Sequence, residues 1–290
     1  MTSMRISAKL PSSGSIPGRV GIPLMARRLE AAGFDGVWVS DHVVMPAHID
    51  SWYPFAADGK ATWNLDDPWY DAIVALSMAA AVTERVELGV AVLVLPLRHP
   101  VVLAKELASL DALSGGRVAM GLGVGWLSEE FEALGVDFTT RGARFDEWVH
   151  LLHECWTGKP RAVDGAHYTL PPGVRMFPTP SHDIPLVIGG HSRAALRRAT
   201  SMQGWLGNFA PDQIDYDVIA AAAAAIGVGQ RIILRVVASA GRHHDVAAQI
   251  PALRTAGVTE IIVDIDWEAG PDADEQAVAT TLRTAAAEVN

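Results

Sequence analysis

Two pairs of residues in this sequence could do chemistry, and each pair follows an apolar segment. Asp41 and His42 follow the segment GVWVS. Gly189 and Gly190 follow the segment PLVI and precede His191, so their bare backbone N–H groups would suit a phosphate at the start of a helix. Each pair also has a purely structural interpretation. His42 could cap a helix or bond a backbone carbonyl, and the two glycines could form an ordinary turn.

Arginines and short motifs near these pairs narrow the possible chemistry. Arg193 and Arg197 lie close behind the glycine pair and fit either an anion site or a solvated helix face. The segment GLGVGW is not a dinucleotide fingerprint, because Trp126 occupies the place of the third glycine. The sequence also contains neither a P-loop nor the serine motif G-x-S-x-G.

One helical segment carries four possible metal ligands, which are Glu147, His150, His153 and Glu154. The apolar residues Phe145, Trp148 and Leu152 define the buried face of that helix. On such a helix His150 points to solvent. No H-x-H pair marks a strand end either, so the sequence predicts no metal site.

The elements that position these residues alternate between buried strands and helices. Residues 86–95 are apolar and β-branched without polar alternation, which is typical of a strand buried on both faces of a parallel sheet. A helix follows from Val101 and ends at the glycine pair 115–116, before a second apolar strand at 118–122. Two parallel strands joined by one helix form a right-handed crossover unit.

Eight apolar segments are predicted to be strands: 4–10, 36–40, 86–95, 118–122, the start of 184–192, 204–209, 232–238 and 260–265. Helices are predicted between them, including 22–32, 69–82, 141–156, 213–226, 246–256 and 274–288. This alternation predicts a single (β/α)8 TIM barrel domain over residues 1–290, with long insertions after strand 2 (43–68) and before strand 5 (158–183). A doubly wound open sheet is the alternative. In barrels of this kind the chemistry occurs at the carboxyl ends of the strands.

Composition excludes some classes of function. The chain has 23 Lys and Arg against 33 Asp and Glu, so its formal charge is −10, which argues against nucleic-acid binding. The single Cys155 excludes an internal disulfide and suggests a reducing compartment. No signal-type segment follows Met1, and the alanine run near residue 220 is too short to span a bilayer. We expect a soluble, cytoplasmic protein that does not bind membranes.

Residues 43–68 form a long connection that is rich in aromatic side chains. They include Trp52, Tyr53, Phe55 and Trp63. Long connections in small domains are commonly functional, so we predict that Trp52, Tyr53 and Trp63 contact a small apolar or ring-bearing substrate. The alternative, of equal weight, is that these rings pack only against one another.

Five segments together resemble the luciferase-like monooxygenase superfamily: GFDGVWVSDH, ERVELGVAVLVLPLRHP, LASLDALSGGRVAMGLGVGWLSEEFEALG, IPLVIGGHS and QGW. They occur in the family's order at strand ends, and the resemblance covers nearly the whole chain. It is greatest to the branch that uses the deazaflavin coenzyme F420, which is common in actinobacteria.

The resemblance implies a (β/α)8 barrel, usually a homodimer, with a bulged third strand. That bulge would carry a non-prolyl cis peptide at Ala91–Val92 and support the flavin ring. His42 would lie beside the reacting ring as acid or base, since its ordinary pKa is close to neutrality. Glu129 and Glu130 match a motif near the ring, and their role is open. The implied cofactor-binding residues are Ala91, Val92, Gly123, Val124, Gly189, Gly190 and His191.

Two departures from the family pattern bear on the cofactor. Val124 stands where bacterial luciferase has an arginine for the flavin phosphate, which weakens the case for FMN. Gln203 replaces the acid of the family's ADGW motif and would alter a turn or the contacts of the cofactor's tail.

The leading hypothesis is therefore an F420-dependent oxidoreductase that transfers a hydride between the deazaflavin and a small organic substrate. The alternative is an FMN-dependent two-component monooxygenase that uses oxygen. In either case a flavin or F420 reductase would supply reduced cofactor. A third hypothesis is a flavin-binding protein without turnover.

Overall fold

The computed structural model describes residues 3–56, 58–61, 63–227 and 229–288, and its main feature is a closed barrel of parallel strands. The barrel strands are β1 (Arg5–Lys9), β2 (Gly36–Val39), β3 (Glu87–Val94), β4 (Val118–Gly123), β5 (Leu186–Gly189), β6 (Gly204–Phe209), β7 (Arg231–Val236) and β8 (Glu260–Val263). Strand β1 pairs with both β2 and β8. This closure confirms the predicted (β/α)8 barrel and shows that the open-sheet alternative is wrong.

Helices follow the strands along the chain. They are α1 (Ile16–Val20), α2 (Ile22–Ala32), α3 (Ala72–Ala80), α4 (Pro100–Ser114), α5 (Ser128–Ala133), α6 (Arg141–Trp156), α7 (Arg193–Ala199), α8 (Tyr216–Ile226), α9 (His243–Thr255) and α10 (Glu275–Ala287). Helices α2 and α6 have the predicted bounds.

Two helices begin later than the sequence predicts, because capping residues precede them. The carboxylate of Asp71 accepts hydrogen bonds from the backbone N–H groups of Ile73 and Val74 at the start of α3. Asp215 accepts a hydrogen bond from Val218 in the same way at the start of α8. A residue that caps a helix has a non-helical backbone, so each helix starts after its aspartate.

The middle of the barrel is filled by side chains. The indole of Trp38 on β2 lies against the backbone of Gly89 on β3, where an added Cβ would be only 2.3 Å from Cε3 of Trp38. Glycine is therefore required at position 89. The other residues of this interior cluster are Ala119, Val187, Leu206, Ile233 and Ile262, with Ala91 and Val92 packed against them. The barrel has a packed core and no open channel through it.

A buried ion-pair cluster closes the amino-terminal end of the barrel. Glu260 is fully buried and accepts hydrogen bonds from Ser7 at 2.6 Å and from the indole of Trp38 at 3.1 Å. Arg231 donates to Glu260 at 2.5 Å and to Glu87 at 2.6 Å. These two carboxylates raise the pKa of Arg231, although burial alone would lower it. The cluster occupies this end, which leaves the carboxyl end for a functional site.

Two long connections lie in the predicted places. Residues 40–71 connect β2 to α3, and residues 157–185 connect α6 to β5. The second connection contains a small antiparallel pair, Val163–Asp164 with Thr169–Leu170. Across the described residues, none of the helices is long and apolar enough to cross a membrane.

Candidate active site

His42 lies just beyond the carboxyl end of β2 and bonds a buried carboxylate. Its side chain is buried, and Nδ1 lies 2.9 Å from Oε2 of Glu130 on α5. Glu130 is itself buried and also accepts a hydrogen bond from the backbone N–H of Val43 at 2.6 Å. Within the described ranges, Nε2 of His42 has no hydrogen-bond partner. The carboxylate therefore fixes one ring nitrogen and leaves the other for a reactant.

Aromatic rings surround this histidine. The ring centroid of His42 lies 4.7 Å from Trp69, 5.3 Å from Trp63 and 6.4 Å from Trp126. Each pair meets at a steep angle, as edge-to-face contacts do. The rings exclude water from the imidazole on these sides. None of the three indoles can exchange a proton with it at neutral pH.

The aromatic connection crosses the mouth of the barrel. Tyr53 packs against Trp63 and Trp126 at centroid distances of 5.3 and 5.0 Å. Phe55 then reaches His191, beyond the end of β5, at 5.7 Å. We call residues 50–63 the lid, with Ala57 and Thr62 outside the described residues. The lid extends from the His42 side of the mouth to the β5 side.

Trp52 does not join these rings. It is 65% exposed, and its indole folds back over Gly59, where an added Cβ would be 2.2 Å from Cε3. Tyr53 packs against Phe55 and Trp63, but these rings also contact His42, Trp126 and His191, so the alternative that the four aromatic residues pack only against one another is wrong. A substrate role for Trp52, Tyr53 and Trp63 stays a prediction.

Glu129 anchors the start of the lid. Its carboxylate accepts hydrogen bonds from the backbone N–H of Asp50 at 2.6 Å, and from the N–H and hydroxyl of Ser51 at 2.9 and 2.6 Å. Burial acts against ionisation, but these hydrogen bonds prevail and lower the pKa of Glu129 to about 2. The two glutamates, whose roles the sequence left open, therefore do different things: Glu130 orients His42 and Glu129 holds the lid.

Asp41 ties the end of β2 to the motif LPLRHP. Its carboxylate accepts a hydrogen bond from the backbone of Val94 at 2.9 Å and one from Arg98 at 2.5 Å. Arg98 also bonds Asp71, the cap of α3, at 2.6 Å. Burial raises the pKa of Asp41, while Arg98 acts in the opposite direction. Asp41 thus fixes the strand end from which His42 projects.

Strand β3 is bulged at the implied position. The peptide bond between Ala91 and Val92 is cis, and the pairing of β3 with β4 shifts register between Val90 and Leu93. The side chain of Val92 lies over neighbouring glycines: an added Cβ would be 2.7 Å from Cγ2 at Gly123, and 2.4 Å from Cγ1 at Gly189. These glycines provide the space for the bulge.

A cavity of about 300 Å³ opens beside Gly189. Its lining includes Leu122, Val124, Thr139, Arg141, Gly142, Phe145, Ile188, Gly189, Ser192 and Arg198. Val124 and Gly189 are thus at the cavity, and Gly123 and Gly190 are their neighbours in the chain.

The two arginines proposed from the sequence do not line the cavity, because Arg193 and Arg197 are exposed. They point outward because the inner face of the short helix α7 carries Ala195 and Ala199.

Arg141 and Arg198 supply positive charge to the cavity. Arg198 is paired with Asp146 at 2.6 Å. Arg141 donates to the carbonyl of Phe138 at 2.8 Å, but its buried Nε has no hydrogen-bond partner. Burial lowers the pKa of Arg141. An anion in the cavity would complete the bonding of this guanidinium.

The end of β6 contributes a second unpaired polar atom. The side-chain Oδ1 of Asn208 is buried without a hydrogen-bond partner, while its backbone N–H donates to Nε2 of His191 at 3.1 Å. The ring of His191 stacks on Phe209 at 4.7 Å. Gln203 lies at the other end of these strands, where its side-chain oxygen accepts a hydrogen bond from Leu186 at 3.0 Å. The replacement of the family's acid by Gln203 therefore affects the connection between β5 and β6 and lies away from the cavity.

Sequence reasoning missed three cations at this end of the barrel: Arg141, Lys9 and Arg235. Lys9 ends β1, and Arg235 lies in β7 beside the carboxylate of Asp264. The alternation of Ser7, Ala8 and Lys9 could have placed Lys9 inside the barrel, since successive strand residues face opposite sides.

Known proteins resemble this chain in sequence. A family model described as luciferase-like monooxygenase matches residues 21–256. An uncharacterized protein of Mycobacterium tuberculosis is 34% identical over 258 residues, which cover 87% of this chain and 88% of that protein. The F420-dependent glucose-6-phosphate dehydrogenase of Beutenbergia cavernae is 36% identical over 174 residues, 59% of this chain and 46% of that enzyme.

Solved structures share the fold. An F420-dependent secondary alcohol dehydrogenase in complex with an F420–acetone adduct has a TM-score of 0.73 at 16% identity, covering 97% of this chain and 100% of that one. The FMN-bound oxygenating constituent of 3,6-diketocamphane monooxygenase from Pseudomonas putida also has a TM-score of 0.73, at 13% identity, covering 100% and 99%. At these identities the likeness shows the fold alone.

Proposed function

The chain belongs to the luciferase-like monooxygenase family and is an oxidoreductase, and we propose that it transfers a hydride between coenzyme F420 and a small organic substrate. The observation that carries this proposal is the His42–Glu130 pair, with a free Nε2, in a mouth that also holds the bulge and the cavity. The F420-dependent dehydrogenase of Beutenbergia cavernae supports the choice of cofactor.

The residues at the barrel mouth fit a flavin-like cofactor. Gly123 and Gly189 make room for the side chain of Val92, so the bulge can hold its cis peptide at the mouth, where a flat ring would rest against it. Oδ1 of Asn208 can accept a hydrogen bond from a donor group of the cofactor, and Arg141 lines the cavity where its phosphate would lie. Ala91, Val92, Gly123, Val124, Gly189, Gly190 and His191 would hold the cofactor together with these two residues. When bound, F420 supplies a carbon centre that gives or takes a hydride.

The chain's own residues would handle the proton. Nε2 of His42 would accept a hydroxyl proton when an alcohol is oxidised, or donate one when a carbonyl is reduced. The carboxylate of Glu130 holds Nδ1–H and stabilises the protonated ring, so His42 can act in either direction. Trp63, Trp69 and Trp126 keep water away from that proton.

One observation favours FMN as a second candidate. The arginine that is missing at Val124 has a possible substitute in Arg141, which lines the same cavity from α6. With FMN the protein would be the oxygenating component of a two-component monooxygenase, and a partner reductase would supply reduced flavin. The Pseudomonas putida structure shows that this fold can hold FMN.

Cofactor titration tests these proposals. F420 and FMN are added separately, and binding is followed by the fluorescence of the nine tryptophans. Micromolar binding of F420 with weak binding of FMN is the expected result, and the reverse would replace the first proposal by the second. Arg141→Leu should weaken whichever cofactor binds, while Arg197→Leu, on the exposed face of α7, is the matched control.

A homodimer is part of the same proposal. Helix α3 has the sequence AIVALSMAA and is apolar except for Ser77, yet Val74 is 58% exposed and Met78 is 44% exposed. A helix that is apolar all round is normally covered, and a second copy of this chain would cover it. Val74→Glu should convert a dimer to a monomer in light scattering, whereas Ala221→Glu on the exposed face of α8 should not. A wild-type monomer would contradict the proposal.

A cytoplasmic location, suggested by the single cysteine, also stays a prediction.

A further inference from the structure

Lys9 ends β1 inside the mouth of the barrel. It is in register with Trp38, the inward-facing residue of β2, and register partners in a parallel sheet face the same side. In the pairing of β1 with β8, Ala8 lies opposite Val263. The residues that follow these two, Lys9 and Asp264, are therefore side by side. Arg235, on β7, lies next to both groups. Three charged side chains from three strands thus meet at the carboxyl end of the barrel.

The carboxylate in this group is already occupied. Arg235 is buried, forms an ion pair with Asp264 and donates to the carbonyl of Val236 at 2.7 Å. Asp264 also accepts a hydrogen bond from the backbone of Ser239 at 3.3 Å. One carboxylate therefore faces two cations, Arg235 and Lys9, and the group has a net positive charge.

Lys9 has no such partner. In the part of the chain that the structure describes, Nζ of Lys9 makes no hydrogen bond and has no acidic oxygen within 4.0 Å. Burial, and then the charge of Arg235, lower the pKa of Lys9 to about 8, while Asp264 acts in the opposite direction. Lys9 is half-buried, and an ammonium group partly removed from water without a hydrogen-bond partner is unfavourable, so an anion at this point would be bound favourably.

This cation shares the mouth with His42. Strand β1, which carries Lys9, pairs with β2, whose carboxyl end leads to His42, and the ring of the lid residue Tyr53 packs against Trp63 and Trp126. Those two indoles are the ones that flank His42. A molecule beneath the lid would therefore meet aromatic faces on one side and positive charge on the other.

We propose that Lys9, supported by Arg235, binds a negatively charged oxygen of the substrate, and that the substrates are conjugated or ring-bearing carboxylates. The aromatic lid selects the flat skeleton, and the ammonium group selects the carboxylate. That this anion belongs to the substrate rests on the proposed function, whereas the anion site itself does not.

Calorimetric titration of the full-length protein with benzoate tests the site directly, with benzamide as the neutral probe of the same shape. Benzoate should bind the wild-type protein, and Lys9→Met should weaken it about tenfold or more, since a hydrogen bond to a charged group is lost. Lys9→Arg should retain binding. Lys159→Met, which removes an exposed lysine after α6, should match the wild type. The melting temperature of each variant is measured to show that it is folded.

Equal binding of benzoate to the wild type and to Lys9→Met would overturn the proposal, as would equal binding of benzoate and benzamide. Repeating the titration with saturating F420 separates the two sources of the anion. Retained benzoate binding supports a substrate site, whereas competition would mean that Lys9 faces the cofactor and would overturn the substrate assignment. If F420 does not bind and benzoate still requires Lys9, the proposed function fails and the anion site stands.

Discussion

Val92 and Gly189 are packed so closely that even the smallest side chain at position 189 would lie 2.4 Å from Cγ1 of Val92. The contact between β3 and β5, which flank β4 in the barrel, therefore depends on a residue without Cβ. The same contact supports the bulge from the strand beyond β4. The glycine of a motif that resembles a phosphate loop has this packing role in addition to any role with a ligand.

Gly189→Ala should displace the bulge and weaken cofactor binding. Forcing a methyl group into a packed site costs about 1–3 kcal/mol, and here Val92 must move to accommodate it. We expect the protein to fold and its affinity for the preferred cofactor to fall about tenfold, measured by fluorescence titration. Gly18→Ala in α1 is the control, because its added Cβ would be 3.4 Å from the nearest atom, the hydroxyl of Tyr70. Unchanged affinity in Gly189→Ala would show that the bulge does not support the cofactor.

Glu130→Gln should reduce kcat much more than it changes KM. The amide cannot stabilise a protonated His42 as the carboxylate does, and general acid–base catalysis contributes about 10²–10⁴-fold. We expect a loss of about 10²-fold in kcat with little change in KM. The neighbouring variant Glu129→Gln is the control, since it loosens the lid and should act mainly on KM. The same kinetic effect from both glutamates would contradict their separate roles.

Benzoate binding should weaken as the pH rises above about 8, because the pKa of Lys9 in the free protein is lowered to about 8 and only the protonated form attracts the anion. The carboxylate that faces Lys9 and Arg235 does not titrate there. Burial alone would raise the pKa of Asp264, but Arg235 and Lys9 hold it below the ordinary value. Tyr53, near Arg235, has its pKa raised by burial.

The stability of the protein without benzoate should rise with pH, whereas benzoate binding weakens. The pKa of Lys9 is about 8 in the folded protein, whereas the ordinary pKa of a lysine side chain is 10.5, so between these values the unfolded chain binds more protons. Stability therefore rises with pH across that window. Chemical denaturation at several pH values should show this rise in the wild type and a smaller one in Lys9→Met. If the unfolding free energy rose equally with pH in the wild type and in Lys9→Met, the folded protein would not lower the pKa of Lys9.

Glu260→Gln should destabilise the fold. Breaking a buried ion pair by changing one partner typically costs about 3–5 kcal/mol, and Glu260 accepts hydrogen bonds from Ser7, Trp38 and Arg231. The measurement is the free energy of unfolding in urea. Glu268→Gln is the matched control, because its pair with Arg19 is exposed and such pairs contribute about 0–1 kcal/mol. Similar losses in both variants would show that the cluster does not stabilise the barrel.

Sequence patterns predicted the architecture of the chain because each strand and helix carries its own signal. The bounds of α2 and α6 follow from apolar periodicity alone. The cis peptide at Ala91–Val92 came from the family resemblance, since nothing in the local composition distinguishes that bond. Periodicity also placed His150 on the exposed face of α6.

Partners that are distant in the chain could not be predicted. His42 and Glu130 are 88 residues apart, and only the folded barrel brings them together. Lys9 meets Asp264 because β1 closes onto β8, a pairing that no local pattern specifies. Arg141 lines the cavity and Arg193 does not. This difference depends on which faces of α6 and α7 turn toward the cavity.

The attachment of Ser51 to Glu129 sets how the mouth responds to its surroundings. With a pKa of about 2, Glu129 stays ionised throughout the range of pH at which cells live, so acidity does not release this end of the lid. Tyr53 is held by its contacts with Trp63 and Trp126, which carry no charge at neutral pH and are insensitive to salt. We therefore expect the residence time of a bound molecule to depend on temperature and solvent viscosity more than on pH or salt.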